Sequence, residues 1–212
     1  MRPIAKGKEP PSLIEHRAKP HADYDNYEEK DDLRACLVGE QGAICCYCMQ
    51  RIHPDSARMK IEHWLCQEHH ADRDLEYGNL LAACRGGQGN PPRLQHCDTL
   101  KGSQSLSRNP AATSPRVDRD LRYLADGSIC SDDSDFNAEL ESVLNLNLPR
   151  LMNNRKAVLD ALKQWAEQEG KLSKKEIRAE LKEWNEIEGG VLREYVQVAI
   201  YWLNKRLSQP SP

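Results

Sequence analysis

Four cysteines and one histidine are the residues of this chain whose types and spacing best suit chemistry. Cys45 and Cys48 stand at the Cys-x-x-Cys spacing, which lets one turn present two thiolates to a single ion. Cys84 and Cys97 can close an all-cysteine tetrahedron around Zn²⁺, a site that contributes folding energy rather than catalysis. His63 lies between these two pairs, and its imidazole titrates near neutral pH, so it can act as an acid or a base.

Neighbouring residues leave the composition of the zinc site open. Cys46 lies beside Cys45 but lacks the two-residue gap to Cys48, which favours Cys45 as the ligand. His96 is a rival to Cys97 as the fourth ligand, because an imidazole nitrogen also binds Zn²⁺. The alternative for all the thiols is that they are ordinary small buried side chains.

The other three cysteines have no evident partner. Cys36 and Cys130 are predicted to be packed or half-exposed thiols, and so is Cys66. A second zinc at Cys66 with His69 or His70 is an alternative, although a solvated histidine-rich loop explains those residues more simply.

Length and composition indicate the class of protein. The chain has 212 residues, of which 39% are hydrophobic and 30% charged, which suits one elaborated globular domain or two small ones. No stretch approaches the roughly 20 apolar residues of a membrane span, and the first eight residues lack the apolar core of a signal peptide. We therefore expect a cytoplasmic protein with no membrane partner. In the reducing cytosol, metal binding is a better interpretation of closely spaced cysteines than disulfides.

The distribution of charge bears on nucleic-acid binding. A net charge of −3 argues against a strong, self-sufficient nucleic-acid binder, because phosphate neutralisation supplies most non-specific affinity. Residues 85–122 nevertheless hold seven Lys or Arg against three Asp, a local excess of four positive charges. The acidic residues lie mostly in 24–32 and in the C-terminal region.

Apolar periodicity predicts the elements that position these side chains. A helix is predicted from near Tyr27, ending at the glycines at 39 and 42, and it leads into a cysteine knuckle with a short strand at 44–52. The alternation at 58–64 predicts a strand. Residues 77–84 are predicted to be the start of a helix or a loop that packs on the strands.

Outside this region, residues 1–25 are predicted to be an extended lead-in. An Asp-Gly turn predicts a hairpin over 122–130. Everything beyond Asp132 is predicted to be helical, with a capping box at Ser173 and Glu176.

The order of the motifs resembles that of the zinc-stapled HNH (ββα-metal) nucleases. The order is Cys45-x-x-Cys48, Glu62-His63, Asn79-Leu80, Cys84, and Cys97-Asp98-x-x-Lys101-Gly102. The resemblance implies an α+β fold, with a ββα-metal core stapled by a four-cysteine zinc site and a mostly helical C-terminal extension. We expect the core with its lead-in and first helix at 1–130, and a helical region at 131–212 that packs on the core or on a partner.

The resemblance also implies roles for individual residues. His63 would be the general base that activates water, while Glu62 and Asp98 would hold a catalytic Mg²⁺ or Mn²⁺, because carboxylates are hard oxygen ligands. Asp98 stands where many relatives carry asparagine. Asn79 would tie the neighbouring loop by hydrogen bonds and help to orient the base, and Lys101 would face phosphate.

Motifs beyond the core look like those of the PtuB-type HNH nucleases, the nuclease subunits of Septu and of certain retron anti-phage systems. The additional motifs are Met1-Arg2-Pro3-Ile4 with Lys6-Gly7, the Cys-x-Tyr-Cys variant at 45–48, Tyr77-Gly78-Asn79-Leu80, and Val143-Leu144-Asn145-Leu146-Asn147. One departure is Trp64-Leu65-Cys66, where many relatives place a proline shortly after the histidine.

This likeness implies a substrate and a partner. The substrate would be nucleic acid, with DNA favoured over RNA, and the partner would be an ABC/SMC-like ATPase of the PtuA type. One alternative is an RNA nuclease, including one that cleaves tRNA, with the same centre. The other is a non-catalytic, zinc-stapled module that binds nucleic acid or acts as an adaptor on the ATPase.

Overall fold

The structure is a computed structural model that describes residues 1–209; residues 210–212, the end of the predicted C-terminal region, lie outside it. The fold is α+β, with helices around two small antiparallel sheets of two strands each. In chain order the regular elements are α1 (Pro11–Arg17), α2 (Lys30–Glu40), β1 (Met59–His63), β2 (Leu80–Cys84), α3 (Asp98–Lys101), β3 (Leu121–Tyr123), β4 (Ile129–Ser131), α4 (Ser134–Ala138), α5 (Pro149–Glu169), α6 (Lys174–Asn185) and α7 (Val196–Leu207).

Helix α2, the knuckle and the first sheet form the centre of the molecule. The predicted helix before the knuckle and the predicted strand at 58–64 are confirmed as α2 and β1. The knuckle is closed by an isolated antiparallel bridge between Ile44 and Arg51. Strand β1 pairs with β2 so that His63 lies opposite Leu80 and Met59 lies opposite Cys84.

The prediction of a helix or loop at 77–84 is wrong for its second half. A single 3₁₀ turn (Tyr77–Asn79) leads into strand β2, and all five β2 residues are buried. One edge of β2 pairs with β1, and the other edge is covered by α2 and the knuckle, where Ala82 bonds Gln41 and Cys46. A strand buried in this way carries a continuous apolar run, which lacks the alternation of a half-exposed strand.

The N-terminal segment differs from the predicted extended lead-in, because it contains helix α1, which begins after Pro10. Proline restrains φ to helical values and lacks the N–H that a first turn cannot satisfy, so prolines at 10 and 11 favour a helix start here. The residues before α1 run across the core: the Ile4 N–H donates to Pro110 O, and Lys6 Nζ donates to Leu80 O at 2.9 Å.

The predicted hairpin at 122–130 is confirmed as β3 and β4. Its loop spans five residues instead of two, with the Leu124 N–H bonded to Ser128 O and Gly127 at φ +85°. A Cβ on Gly127 would lie 2.1 Å from Met152 O, so glycine lets α5 approach this turn.

The region beyond Asp132 is mostly helical, and the capping box of Ser173 and Glu176 is confirmed at the start of α6. The segment before α7 contacts the knuckle: the Leu192 N–H donates to Gly42 O at 2.9 Å and the Tyr195 N–H to Met49 O at 3.2 Å. Within residues 1–209, no helix has both the length and the hydrophobicity needed to cross a membrane.

Candidate metal centre and active site

Four buried cysteines converge on one point. The Sγ atoms of Cys45, Cys48, Cys84 and Cys97 all lie within 4.8 Å of one another. The Cys45–Cys97 pair is 3.9 Å apart and the Cys48–Cys84 pair 3.7 Å. Zn–S bonds of about 2.3 Å in a tetrahedron place sulfur atoms about 3.8 Å apart. The four thiols therefore fit a structural Zn²⁺ in both donor type and spacing.

Local backbone geometry points the four thiols inward. Within the knuckle, the Cys45 N–H donates to Gln50 O and the Met49 N–H to Cys45 O, which closes the turn between the first two cysteines. Cys84 is the last residue of β2, and Cys97 precedes α3 with φ +54°. Positive φ is uncommon for a residue with a side chain, so the backbone at Cys97 is held in this conformation by its surroundings.

The ionisation of the thiols also fits a cation. Burial raises the pKa of the Cys48 and Cys97 thiols well above the usual range. Burial acts in the same direction on Cys45, but hydrogen bonds from the neighbouring thiols outweigh it and lower the pKa of Cys45 well below the usual range. Four thiolates this close cannot all form in a buried space without a positive charge among them, and a divalent metal supplies that charge.

His96 lies beside the cluster without belonging to it. Its Nδ1 is 3.1 Å from Cys97 Sγ, and its Nε2 is 2.8 Å from an Nη atom of Arg150. A guanidinium only donates hydrogen bonds, so His96 Nε2 accepts and Nδ1 carries the proton that faces the sulfur. The structure thus places Cys97 in the four-residue group and His96 as a hydrogen-bond donor to it. In the described chain this is the one group of three or more close metal-ligating residues, so Cys66, His69 and His70 do not form a second.

Glu62 is a buried carboxylate with three neighbours. Tyr47 Oη donates to Glu62 Oε1 at 2.7 Å, and Lys101 Nζ lies 2.9 Å from the same oxygen. Burial, followed by the neighbouring Asp98 carboxylate, raises the pKa of Glu62 well above its usual range. Glu62 and Asp98 are close enough to share a hydrogen bond.

The prediction that Lys101 would face phosphate does not match its position. The Lys101 side chain is fully buried, and its ammonium contacts Glu62 and donates to His63 O at 3.1 Å. A buried carboxylate needs a counter-charge, and Lys101, at the end of the short helix α3, supplies it. Lys101 is therefore placed inside the centre and away from the surface that a nucleic acid could touch.

Asp98 begins α3 and is paired with another lysine. Lys60 Nζ lies 2.6 Å from Asp98 Oδ2, and Lys60 and Glu62 lie two residues apart on the same face of β1. Burial raises the pKa of Asp98, but Glu62 and Lys60 together outweigh it and lower the pKa below the usual range. The two adjacent carboxyl groups form a pair of hard oxygen donors, which suits Mg²⁺ or Mn²⁺ in chemistry.

His63, the last residue of β1, is held in one orientation. Its Nε2 lies 3.0 Å from Asp74 O, and a carbonyl only accepts, so Nε2 carries the proton and Nδ1 keeps its lone pair. The Nδ1 atom has no hydrogen-bond partner in the described chain and is not among its fully buried unsatisfied atoms. The Tyr24 ring stands edge-on at 4.5 Å. Burial lowers the pKa of His63, which favours the neutral imidazole needed by a base.

Asn79 closes the loop that follows His63. Its Oδ1 accepts from the Leu65 N–H at 2.7 Å, and its Nδ2 donates to Leu65 O and to Arg73 O. Its backbone carbonyl accepts from the Trp64 N–H. These bonds fix the loop that follows His63, and the same loop carries the Asp74 carbonyl that orients the ring.

Three residues that support this centre were not predicted from the sequence: Tyr24, Lys60 and Gln41. Lys60 was detectable, since in a strand it shares a face with Glu62. Tyr24 and Gln41 act across long sequence separations and carry no local signal.

Comparison of the chain with protein-family models and with curated proteins gives no match in either case.

Proposed function

We propose that this protein is a metal-dependent HNH endonuclease that hydrolyses phosphodiester bonds in nucleic acid. The observation that carries the proposal is the arrangement around His63, whose Nδ1 has no hydrogen-bond partner among the described residues. The preceding residue, Glu62, is a buried carboxylate that lies beside Asp98. The succession of β1, β2 and α3 supports it, because the base ends the first strand and the second carboxylate begins the helix, as the resemblance to the ββα-metal family implies.

The chain's own residues account for the activation of the attacking water in this reaction. His63 Nδ1 accepts a proton from the attacking water, and the Asp74 carbonyl stabilises the imidazolium through the Nε2–H bond. Asn79 keeps that carbonyl in place through its bond to Arg73 O. Glu62 and Asp98 would hold Mg²⁺ or Mn²⁺, which when bound supplies positive charge beside the scissile phosphate.

The cysteine cluster has a structural role in this proposal. It joins the knuckle, the end of β2 and the start of α3 at one Zn²⁺ site. The knuckle carries Tyr47, β2 pairs with the strand that ends at His63, and α3 begins at Asp98. Zinc therefore fixes the distance between the carboxylates and the base without taking part in the reaction.

The resemblance to PtuB-type nucleases supports a narrower proposal. We propose that the protein acts in the cytoplasm, in anti-phage defence of the Septu or retron-associated kind, with a PtuA-type ABC/SMC-like ATPase as partner. DNA is the proposed substrate, and RNA, including tRNA, is the alternative. The net charge of −3 fits a partner that provides much of the hold on nucleic acid.

The test is cleavage of duplex DNA, single-stranded DNA and structured RNA in Mg²⁺ or Mn²⁺, by the protein alone and co-expressed with the ATPase. His63→Ala should reduce cleavage about 10²- to 10⁴-fold, the usual contribution of a general base. The matched control is His53→Ala, since His53 is exposed, and it should cleave normally. Equal activity of wild type and His63→Ala would refute the proposal. Binding without cleavage in every preparation would favour the zinc-stapled adaptor.

A further inference from the structure

Among the described residues, the proposed centre has no side-chain cation that is free to bind a substrate phosphate, so only the proposed Mg²⁺ or Mn²⁺ would supply positive charge there. Lys101 is fully buried against Glu62, and Lys60 is paired with Asp98 at 2.6 Å. A nuclease needs a positive group at the phosphate besides the base. A second positive group, from a side chain, would therefore come from another element near His63.

The edge of α2 that faces Tyr24 carries positive charge. Tyr24 stands edge-on to the His63 ring, with centroids 4.5 Å apart. Lys30 Nζ lies 4.8 Å from the Tyr24 ring centroid. Lys30 and Arg34 are one helical turn apart and share a face of α2. Arg34 also lies close enough to Tyr24 to oppose the effect of burial on the pKa of that phenol.

Arg34 has unused hydrogen-bonding capacity. Its Nη1 donates to Asp31 Oδ1 at 2.6 Å, but its Nε is buried and has no partner among residues 1–209. The arginine side chain is 16% exposed, whereas that of Asp31 is 87% exposed. An ion pair with so exposed an aspartate is weak, so a phosphate can replace Asp31 at little cost. The planar guanidinium then offers two parallel N–H groups to phosphate oxygens.

We propose that Arg34 is the residue that binds the substrate phosphate beside His63, and that Asp31 occupies this position when no nucleic acid is bound. The inference rests on the proposed nuclease function. Tyr24, which contacts the His63 ring, links the base to this edge of α2. Lys30, which is held by Tyr27 O at 2.7 Å, adds a second positive charge on the same side.

The experiment measures binding of fluorescently labelled duplex DNA and structured RNA to a His63→Ala protein, by anisotropy over a range of salt concentrations. Arg34→Gln should weaken binding about tenfold, the effect of one charge-assisted hydrogen bond. It should also reduce the slope of log K against log salt by about one, the signature of one lost phosphate contact. Arg34→Lys should keep the slope and lose part of the affinity. Asp31→Asn should strengthen binding.

Arg58→Gln is the matched control, because Arg58 makes the same i,i+3 pair with Asp55 at 2.5 Å but lies on the exposed surface. It should leave both affinity and slope unchanged. Equal behaviour of the Arg34→Gln and Arg58→Gln proteins, or no binding at low salt, would overturn the assignment. Zinc content and melting temperature should match among the variants.

The two proposals fail in different ways. If binding depends on Arg34 but neither wild type nor the ATPase complex cleaves, the phosphate site stands and the nuclease function falls. If cleavage depends on His63 while Arg34→Gln and Arg58→Gln bind and cut alike, the function stands and the Arg34 site falls.

Discussion

Gln41 links α2 to the knuckle and to β2. Its replacement by methionine tests how much these buried hydrogen bonds contribute to the stability of the core. The side chain is 4% exposed. Its Nε2 donates to Ile44 O at 3.0 Å and to Ala82 O at 2.8 Å, and its Oε1 accepts from the Ala82 N–H at 2.8 Å. Methionine has a similar size and leaves the packing intact, so the change removes hydrogen bonds with little loss of volume.

The expected cost follows from which backbone groups lose their partners. Ala82 O keeps a bond from the Cys46 N–H at 3.0 Å, so it remains satisfied. The Ala82 N–H and Ile44 O are left without a partner in the buried core. Each unsatisfied group costs about 1–3 kcal/mol, so Gln41→Met should lower the free energy of unfolding by about 2–6 kcal/mol.

The assay is urea unfolding followed by circular dichroism, with free Zn²⁺ buffered at one concentration because a bound metal contributes to stability. The control is Gln168→Met, on the exposed surface of α5, which should change the unfolding free energy by less than about 0.5 kcal/mol. A Gln41→Met protein as stable as the Gln168→Met protein would show that these buried bonds contribute nothing, and the reasoning would be refuted.

Three other predictions concern the centre. Cys48→Ser should remove bound Zn²⁺ and unfold the core, whereas Cys130→Ser, at a half-buried thiol, should retain the metal. Metal analysis and melting curves check this, and full zinc content in the Cys48→Ser protein would contradict the proposed zinc site. Lys101→Met should destabilise the protein by about 3–5 kcal/mol by leaving Glu62 unpaired. This loss of stability should grow as pH rises, because the Glu62 carboxyl group, whose pKa is raised, is tolerated when protonated and is most unfavourable when ionised. Unfolding free energies of the variant and the wild type at pH 5 and pH 8 measure the change. The cleavage rate should stay high below pH 6.5 and fall only at lower pH, since burial lowers the pKa of the His63 base; an acid limb at or above pH 6.5 in a rate profile would contradict this.

Part of this structure was predictable because its signals are local. In helix α2 the buried residues recur at the helical period, and in strand β1 the apolar Met59 and Ile61 alternate with polar residues, so both elements are visible in the sequence. The spacing of Cys45 and Cys48 within one turn and the capping box of α6 are also local features. In such places the residues that make a contact are only a few positions apart.

The rest depends on contacts between distant segments. All five residues of strand β2 are buried, so its sequence is uniformly apolar and gives no strand period. Lys101 resembles a surface lysine in the sequence, and only the burial of Glu62, 39 positions earlier, explains its inward direction. The role of Tyr24 beside His63 likewise arises from tertiary packing.

The segment at 192–195, which lies against the knuckle, has a consequence for the order in which the protein assembles. Arg51 donates its N–H to Glu194 across 143 positions, and the same late segment bonds Gly42 and Met49. During synthesis all four cysteines leave the ribosome well before this segment exists. A metal ion that binds these cysteines can therefore enter before the segment at 192–195 covers the knuckle. We expect a bound metal to exchange when this segment detaches, so the rate of exchange would measure how often the C-terminal part of the protein opens.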